Sequence, residues 1–435
     1  MGTQDLLASW STLSFDEIEA RVRAGTDQTA MEQLFGPEET VEMRGMVAEP
    51  QPRGPREAVV LLPGIMGSLL SSVRGVTKLL WINPLLFLNG QSRQLELNED
   101  GTADASPEID AVAVALEKVV YTKFALAMRR QVDLYEFPYD WRRPIESNAG
   151  LLADCIERWA DGQGDRQFTL VGHSMGGLVS RAYLALHPQA ADCRVRRLIM
   201  LGTPHFGAAE TVQNLLSGNR EMALVAALNS KNMPQRLLLN LPSVYQILPA
   251  PPSLFPSHRP YPANWNLYRA SAWHLDGIRQ DYLDAARQCY RLLDSSDPQV
   301  QIVQIAGCNL ETTVDMVRSS GPDGEPIYDV IRREEGPDAG DGTVPLWSAV
   351  LPGAALYYIQ KKHRALPASK RVIEAVLDLI SGGTPDLPTD LPLRKVELIP
   401  RAASEPLDLE ADRLRQSLEQ GTASGEELSR LYFAF

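Results

Sequence analysis

The stretch Thr169-Leu170-Val171-Gly172-His173-Ser174-Met175-Gly176-Gly177 constrains this chain more than any other. Apolar and β-branched residues run into a Gly-x-Ser-x-Gly, and a helix-compatible segment, residues 178–186, follows at once. Strand, sharp turn and helix in that order lift a serine hydroxyl above a sheet edge, where nothing crowds it. Gly172 and Gly176 stand two residues either side of Ser174, where a Cβ would clash as strand and helix close together. The helix starts just after Ser174, so its first amides face any negative charge that develops there. A Gly-rich loop can carry this pattern by chance, but the strand before and the helix after supply the context of a nucleophile turn. A dinucleotide reading fails, because the Gly-x-Gly-x-x-Gly spacing is absent. His173 is expected to pack beneath the turn rather than to serve as a base.

Five other runs have the composition of core strands: Ala58–Leu62, stopped by Pro63-Gly64, then residues 133–137, 197–201 and 300–306, and last Ala355–Ile359. Helical patterns over residues 150–160 and 178–186 lie between them. This alternation predicts an α/β fold, a mainly parallel sheet with helices on both faces. At 435 residues and 44% hydrophobic composition the chain can bury a large core. The sheet-bearing body is expected over residues 57–380. Two stretches within it, about 68–116 and 208–298, exceed what such a sheet needs, and insertions of that length form lids and caps. The first opens with an apolar patch, Leu79-Leu80-Trp81-Ile82-Asn83-Pro84-Leu85-Leu86-Phe87, which reads either as lid surface or as core.

The flanks differ in character. Residues 1–56 read as an acidic extension and linker: residues 6–23 have a helical pattern, residues 27–50 carry few core signals, and Pro50, Pro52 and Pro55 close the segment. Residues 381–406 read as a Pro/Gly-rich tether. Residues 407–435 read as two short amphipathic helices ending in Leu431-Tyr432-Phe433-Ala434-Phe435, a terminus that is expected to dock. Each end could cover an entrance or receive a regulatory protein, through residues 1–50 or 407–435, and the head is the better candidate for a cover.

Net charge is -13 with no basic stripe, so nucleic acid is not an expected partner. Ten acids against three arginines give residues 1–50 a charge of -7, which opposes attraction to an anionic membrane. The opening residues lack both the basic start and the apolar core of a secretory signal. No apolar run approaches the ~18 residues that span a bilayer. The four cysteines, Cys155, Cys193, Cys289 and Cys308, have no metal-like spacing and read as reduced thiols. A cytoplasmic protein with peripheral membrane association is the expectation.

An activated serine needs a histidine and an acid, in chain order serine, acid, histidine. Of the six histidines, His173 and His187 sit in or just after the turn, His258 and His274 lie in the second insertion, and His205 precedes any later acid though it could line the site. His363 remains, between the strand Ala355–Ile359 and a helical run, where a loop can swing an imidazole over the sheet edge. For the acid, Gly340-Asp341-Gly342 lets a short carboxylate reach a buried imidazole by a tight turn. Asp341 would hold the tautomer and stabilise the charged ring. Asp338 is the second candidate, and a calcium loop lacks its acidic ladder. An oxyanion needs one amide from the residue after the nucleophile, Met175, and one from the loop after an early strand, placed at Met66 in Pro63-Gly64-Ile65-Met66-Gly67-Ser68. No metal or organic cofactor is required.

Five motifs occur in order: Leu62-Pro63-Gly64-Ile65-Met66-Gly67-Ser68, Leu80-Trp81-Ile82-Asn83, Pro138-Tyr139-Asp140-Trp141-Arg142, Gly172-His173-Ser174-Met175-Gly176-Gly177 and Gly340-Asp341-Gly342-Thr343-Val344. Over about residues 57–380 the chain resembles the lecithin:cholesterol acyltransferase family, which includes lysosomal phospholipase. The resemblance implies an α/β-hydrolase fold with cap and lid insertions. It implies cleavage of a fatty acyl ester of phospholipid, or another acyl-ester lipid, through an acyl-serine, with passage of the acyl group to water or an alcohol. It implies Ser174, Asp341 and His363 as triad, the Met66 and Met175 amides as oxyanion hole, and Trp81 in the lipid-facing lid. Two departures are evident: no cysteine lies between Met1 and Gly150, where secreted members carry a lid disulfide, and no leader is visible. Arg142 reads either as a contact for a lipid phosphate or as a buried ion pair with Asp140. The other functions compatible with these residues are an esterase for soluble acyl esters and a catalytically idle hydrolase fold that binds a partner.

Overall fold

The computed structural model describes residues 2–48, 56–75, 77–295, 299–395 and 405–432. Pro50, Pro52 and Pro55, residues 396–404 of the tether, and Phe433-Ala434-Phe435 lie outside the described residues. Eleven strands follow in chain order among them: β1 Ala58–Leu62, β2 Ser68–Ser72, β3 Lys78–Trp81, β4 Ala111–Leu116, β5 Asp133–Glu136, β6 Phe168–His173, β7 Val195–Leu201, β8 Gln301–Gly307, β9 Thr312–Ser320, β10 Pro326–Arg333 and β11 Ala355–Ile359.

Six of them, the six read from the sequence, form one sheet in the order β11-β8-β7-β6-β1-β5, every neighbouring pair parallel. A parallel strand covered on both faces needs an unbroken apolar run, and β1 and β6 are buried at every position. The architecture is an α/β-hydrolase fold. Loops at the carboxyl ends of β1, β6, β8 and β11 all open at the same sheet edge, where ligands of open α/β sheets gather.

The remaining strands make two small antiparallel units, a three-stranded sheet β3-β2-β4 and the hairpin β9-β10. Both went unread. β2 is mostly serine, β4 is a short alanine-valine run with only its two end residues buried, and β9-β10 mixes charged, hydroxyl and apolar residues without a clean alternation.

The apolar patch of the first insertion is core. Trp81 is fully buried, its ring 5.1 Å from that of Trp141 and 6.0 Å from that of Phe87. The expectation that Trp81 faces lipid is corrected: the ring packs against the aromatics of the Pro138–Arg142 motif, where water and lipid are excluded.

The ends of the chain also differ from expectation. The head forms four helices, Thr3–Trp10, Phe15–Ala24, Gln28–Phe35 and Pro37–Ala48. Residues 27–48, expected to be poor in core, bury Met31, Leu34, Met43 and Val47, isolated pairs whose spacing is masked by the acids between them. Charge anchors the head too: Glu39 and Glu42 flank the buried ammonium of Lys123 at 2.5 and 2.6 Å. The described part of the tether runs beside β11, with Pro388 accepting from the Tyr358 amide and Lys395 exchanging hydrogen bonds with Gln360. The tail forms helices Leu407–Gln420 and Gly425–Tyr432, whose Leu414, Leu418 and Leu428 are buried.

A chain starting at Arg56 should therefore unfold at a clearly lower temperature than the full chain. Leu6, Trp10, Phe15, Ile18 and Val22 would leave the core, each worth about 1.5–3 kcal/mol of apolar burial. Calorimetry on the two chains checks this, and equal melting temperatures would mean the head is merely appended.

Candidate active site

Ser174 sits at the hinge between β6 and the helix Met175–Leu186 with φ 52° and ψ -124°, a conformation L-residues rarely adopt. Such strain costs on the order of 1–3 kcal/mol and persists only where neighbours enforce it. The neighbours here are backbone. A Cβ on Gly172 would lie 2.6 Å from the Gly177 nitrogen, and one on Gly176 would lie 2.5 Å from the carbonyl oxygens of both Leu62 and Pro63. The Ser174 amide donates to the Leu201 carbonyl at 2.9 Å, which ties the turn to β7.

The loop after β1 is held by four aromatic side chains. Tyr139 Oη donates to the Pro63 carbonyl at 2.7 Å, and Tyr121 Oη accepts from the Gly64 amide at 2.8 Å. Trp81 Nε1 donates to the Met66 carbonyl at 2.8 Å, and Trp141 Nε1 to the Ser68 carbonyl at 3.2 Å. Three of the four belong to the sequence motifs, which thus frame this loop. Met66 itself has φ 62°, and its amide has no acceptor among the described residues. The amide of Met175 opens the helix and lacks an intrahelical acceptor by position. Both are free to meet an anion.

On the far side, β8 and β11 present the other two expected residues. His363 Nδ1 lies 2.7 Å from Asp341 Oδ2, and the backbone amide of His363 donates to the Asp341 carbonyl at 2.9 Å. Asp341 is fully buried, and its Oδ1 accepts from the amides of Thr343 and Val344 at 3.1 and 2.8 Å. Three donors thus compensate one buried carboxylate. The pair fits only because Gly202, at φ 59°, has no side chain: a Cβ there would lie 3.0 Å from Asp341 Oδ2 and 3.1 Å from His363 Nδ1. Gly202 follows a strand directly, a signal the sequence offered and that went unused. Asp338, the second candidate acid, pairs instead with Arg259 at 2.7 Å.

Ser174 and His363 line one cleft of about 300 Å³, with Gly64, Ile65, Met66 and Tyr121 on one side. The insertion 208–298 closes it with Glu210, Thr211, Asn214, Asn219, Glu221, Leu238 and Val244, and Arg364 and Arg430 complete the rim. Among the described residues no hydrogen bond joins Ser174 Oγ to His363, a contact that commonly tightens only around substrate. Burial pushes the Glu210 carboxyl up to about 7, against a downward pull from His363 and a further push from Asp341. Arg430 arrives from the tail, where it is paired with Glu410. The tail, rather than the head, reaches this cleft.

Three further residues named from the sequence are buried. His205 is buried beside Arg181, away from the cleft lining. His173 packs beneath the turn as expected, yet its ring touches the site, as described below. Arg142 is fully buried, paired with Asp140 and Asp104, both at 2.8 Å, so the ion-pair reading holds. Among the described residues no group of three or more His, Cys, Asp or Glu side chains is placed to hold a metal, and no helix is long and apolar enough to cross a membrane. Chemically, the site combines the Ser174 hydroxyl, an imidazole held by a carboxylate, and two nearby amides without an acceptor, an arrangement able to activate a hydroxyl and to bind an oxyanion.

If Trp81 fixes the Met66 peptide, Trp81→Phe should slow the reaction of Ser174 with a fluorophosphonate roughly fivefold to tenfold. That is the size of one lost hydrogen bond, about 1–1.5 kcal/mol. An unchanged labelling rate in the folded variant would show that the loop needs no such anchor.

The family model for lecithin:cholesterol acyltransferase matches residues 108–276. Among curated proteins the chain is similar to lecithin-cholesterol acyltransferase-like 4 of Arabidopsis thaliana, 24% identical over 302 residues, 58% of this chain and 56% of that protein. It is similar to lysosomal phospholipase A and acyltransferase of Homo sapiens, 33% identical over 117 residues, 26% of this chain and 28% of that protein. The same enzyme of Bos taurus is 26% identical over 358 residues, 70% of this chain and 84% of that protein. The chain therefore spans about half the length, or less, of the first two of these relatives. Among solved structures it is similar to a chain of the Tle4-Tli4 complex, TM-score 0.52 at 13% identity, over 76% of this chain and 99% of that one, a likeness of fold.

Proposed function

We propose that this chain of the lecithin:cholesterol acyltransferase type is a serine acyl hydrolase for lipids, a phospholipase A with acyl transfer as a second outlet. The observation that carries the reading is the buried His363–Asp341 pair facing the strained Ser174 turn across one cleft. The relatives named for phospholipase A and acyltransferase activity support the substrate class.

In the first half-reaction Ser174 Oγ attacks the ester carbonyl while His363 Nε2 takes its proton. The carbonyl oxygen becomes an oxyanion that accepts from the Met66 and Met175 amides. The C–O bond to the lysolipid breaks, and His363 returns the proton to the leaving oxygen. Water or an alcohol then loses a proton to His363, attacks the acyl-serine and releases Ser174. Asp341 stays ionised throughout and stabilises the imidazolium. Lipid is met from the periphery of a membrane. A regulatory partner acting through the tail, which carries Arg430 to the cleft, is favoured over one acting through the head.

Ser174→Ala should fold normally and lose turnover by on the order of a million-fold, His363→Ala nearly as much, with little added in the double variant. Retention of a tenth of wild-type ester hydrolysis by Ser174→Ala would remove the proposed nucleophile. Comparing dispersed short-chain phospholipid with a soluble butyrate ester separates a phospholipase from a soluble-ester esterase, and failure of a fluorophosphonate to label wild type would leave an idle binding fold.

Glu210 predicts a pH effect on selectivity. Its carboxyl, raised to about 7, is protonated below that pH, and the cleft then loses one negative charge. The kcat/KM ratio of phosphatidylglycerol to phosphatidylcholine should rise roughly fivefold as pH falls from 8.5 to 5.5, the size of a ~1 kcal/mol charge–charge interaction. Glu210→Gln should flatten that ratio, and a ratio that still changes as in wild type would exonerate Glu210.

A further inference from the structure

His173 and Tyr121 have no step in the reaction above, yet both are buried and both line the cleft. Tyr121 Oη lies 2.8 Å from the Gly64 amide and 2.8 Å from His173 Nδ1. His173 Nε2 lies 3.1 Å from the backbone carbonyl of His363, and the two imidazole rings are 5.0 Å apart.

The direction of each bond follows from what the atoms can do. The Gly64 amide can only donate, so Tyr121 Oη accepts there. The His363 carbonyl can only accept, so His173 Nε2 carries the hydrogen. Burial, and the neighbouring charge His363 acquires, hold the His173 ring well below the usual imidazole range, so it stays neutral and its Nδ1 is bare. The single Tyr121 proton then goes to Nδ1. One ordered chain results: Gly64 N–H to Tyr121 Oη–H to His173 Nδ1, then His173 Nε2–H to the His363 carbonyl.

Its two ends are the moving parts of the proposed reaction. Gly64 begins the loop that offers the Met66 amide, and a Cβ on Gly64 would lie 2.9 Å from that of Ser174, so the loop rests on the nucleophile itself. His363 is held on Asp341 by its amide and its Nδ1, and within its own short turn by the Leu366 amide, which donates to the His363 carbonyl at 3.2 Å. The bond from His173 to the same carbonyl adds a tie to the nucleophile turn, because His173 is the residue covalently joined to Ser174. Ser174 Oγ and His363 lack a hydrogen bond of their own among the described residues, so their relative placement depends on such supports.

We propose that Tyr121 and His173 are positioning residues that lock the oxyanion loop and the general base to the nucleophile as one unit. This rests on the reading of Ser174, His363 and Asp341 as a triad. The chain acts in the transition state, where the Met66 amide and His363 Nε2 must both be in register with one carbonyl carbon.

The test uses the full chain and a soluble butyrate ester. Wild type is first labelled with a fluorophosphonate and the modified residue mapped: failure at Ser174 defeats the triad reading and, with it, this one. With wild type labelled, Tyr121→Phe should lower kcat roughly tenfold to a hundredfold with KM within about twofold, and His173→Leu should lower it further. His173→Gln, whose amide can donate to the His363 carbonyl and accept from Tyr121, should recover at least tenfold over His173→Leu. Folded Tyr121→Phe and His173→Leu proteins with wild-type kcat, losses confined to KM, or a Gln variant no better than Leu would each overturn the proposal while leaving the triad standing. Should the variants fail to fold, nitrogen-15 NMR of the wild-type imidazoles decides. A neutral His173 protonated at Nε2 from pH 5.5 to 8.5 supports the chain, and an Nδ1-protonated or charged ring refutes it.

Discussion

The loop from Pro63 to Ser68 is the piece on which the rest of the molecule depends. Its peptides lie against the Ser174 turn so closely that Gly64 and Gly176 have no room for a side chain. A loop this near the Ser174 turn cannot be left to its own conformational preferences, particularly with Met66 in the left-handed region. Four aromatic side chains hold it, two through phenol oxygens and two through indole nitrogens. Aromatics suit the task because each brings a rigid apolar body for the core and one polar atom at a fixed reach. This accounts for the motifs between residues 80 and 142: Trp81, Tyr139 and Trp141 hold the loop from behind and are absent from the cleft lining.

Much of this organisation was legible in the sequence. The six strands of the central sheet were readable because strands buried on both faces leave unbroken runs such as Ala58-Val59-Val60-Leu61-Leu62. The serine turn was readable because its steric demands can be met only by glycine at set positions. The satellite strands were not, since half-exposed strands rich in serine, alanine and charge resemble loops. The head was underestimated for a related reason: Met31, Leu34, Met43 and Val47 are few, and their helices reach burial by packing on one another, on the helix Lys118–Met128 and on the tail helix Gly425–Tyr432. Chain order and turn chemistry pointed to His363 and Asp341, which the fold brings within 2.7 Å of each other, but other residues packed around them are distant in sequence. Tyr121, 52 residues from His173, carries no local mark of its role. Trp81 shows the opposite hazard. An aromatic beside leucines reads equally as membrane anchor or core, and only the tertiary contact with Trp141 and the Met66 carbonyl decides.

The acid–base pair illustrates how space, as much as charge, selects residues. Asp341 is buried with three donors around it, and Gly202 leaves the gap that it and His363 share. Polar groups at this depth are tolerated only when fully partnered. The same rule governs His173, which stays neutral and satisfies both nitrogens. Asp341, His173 and Tyr121 are thus hydrogen-bonded throughout, whereas Ser174 Oγ and His363 Nε2 have no hydrogen bond among the described residues.

Arg142 fixes the insertion 68–116 to the frame behind the cleft. Its guanidinium, sealed from water, joins Asp140, in the loop after β5, to Asp104 and the Leu95 carbonyl in the insertion 68–116. Lifting that insertion would strand a buried cation, a penalty of about 3–5 kcal/mol once one partner is lost. The segment built where a lid was expected is thus riveted to the frame. The cleft lining beyond the Pro63–Ser68 loop comes largely from the insertion 208–298 and from Arg430 of the tail, so any widening around Ser174 would have to come from that side and not from the riveted segment.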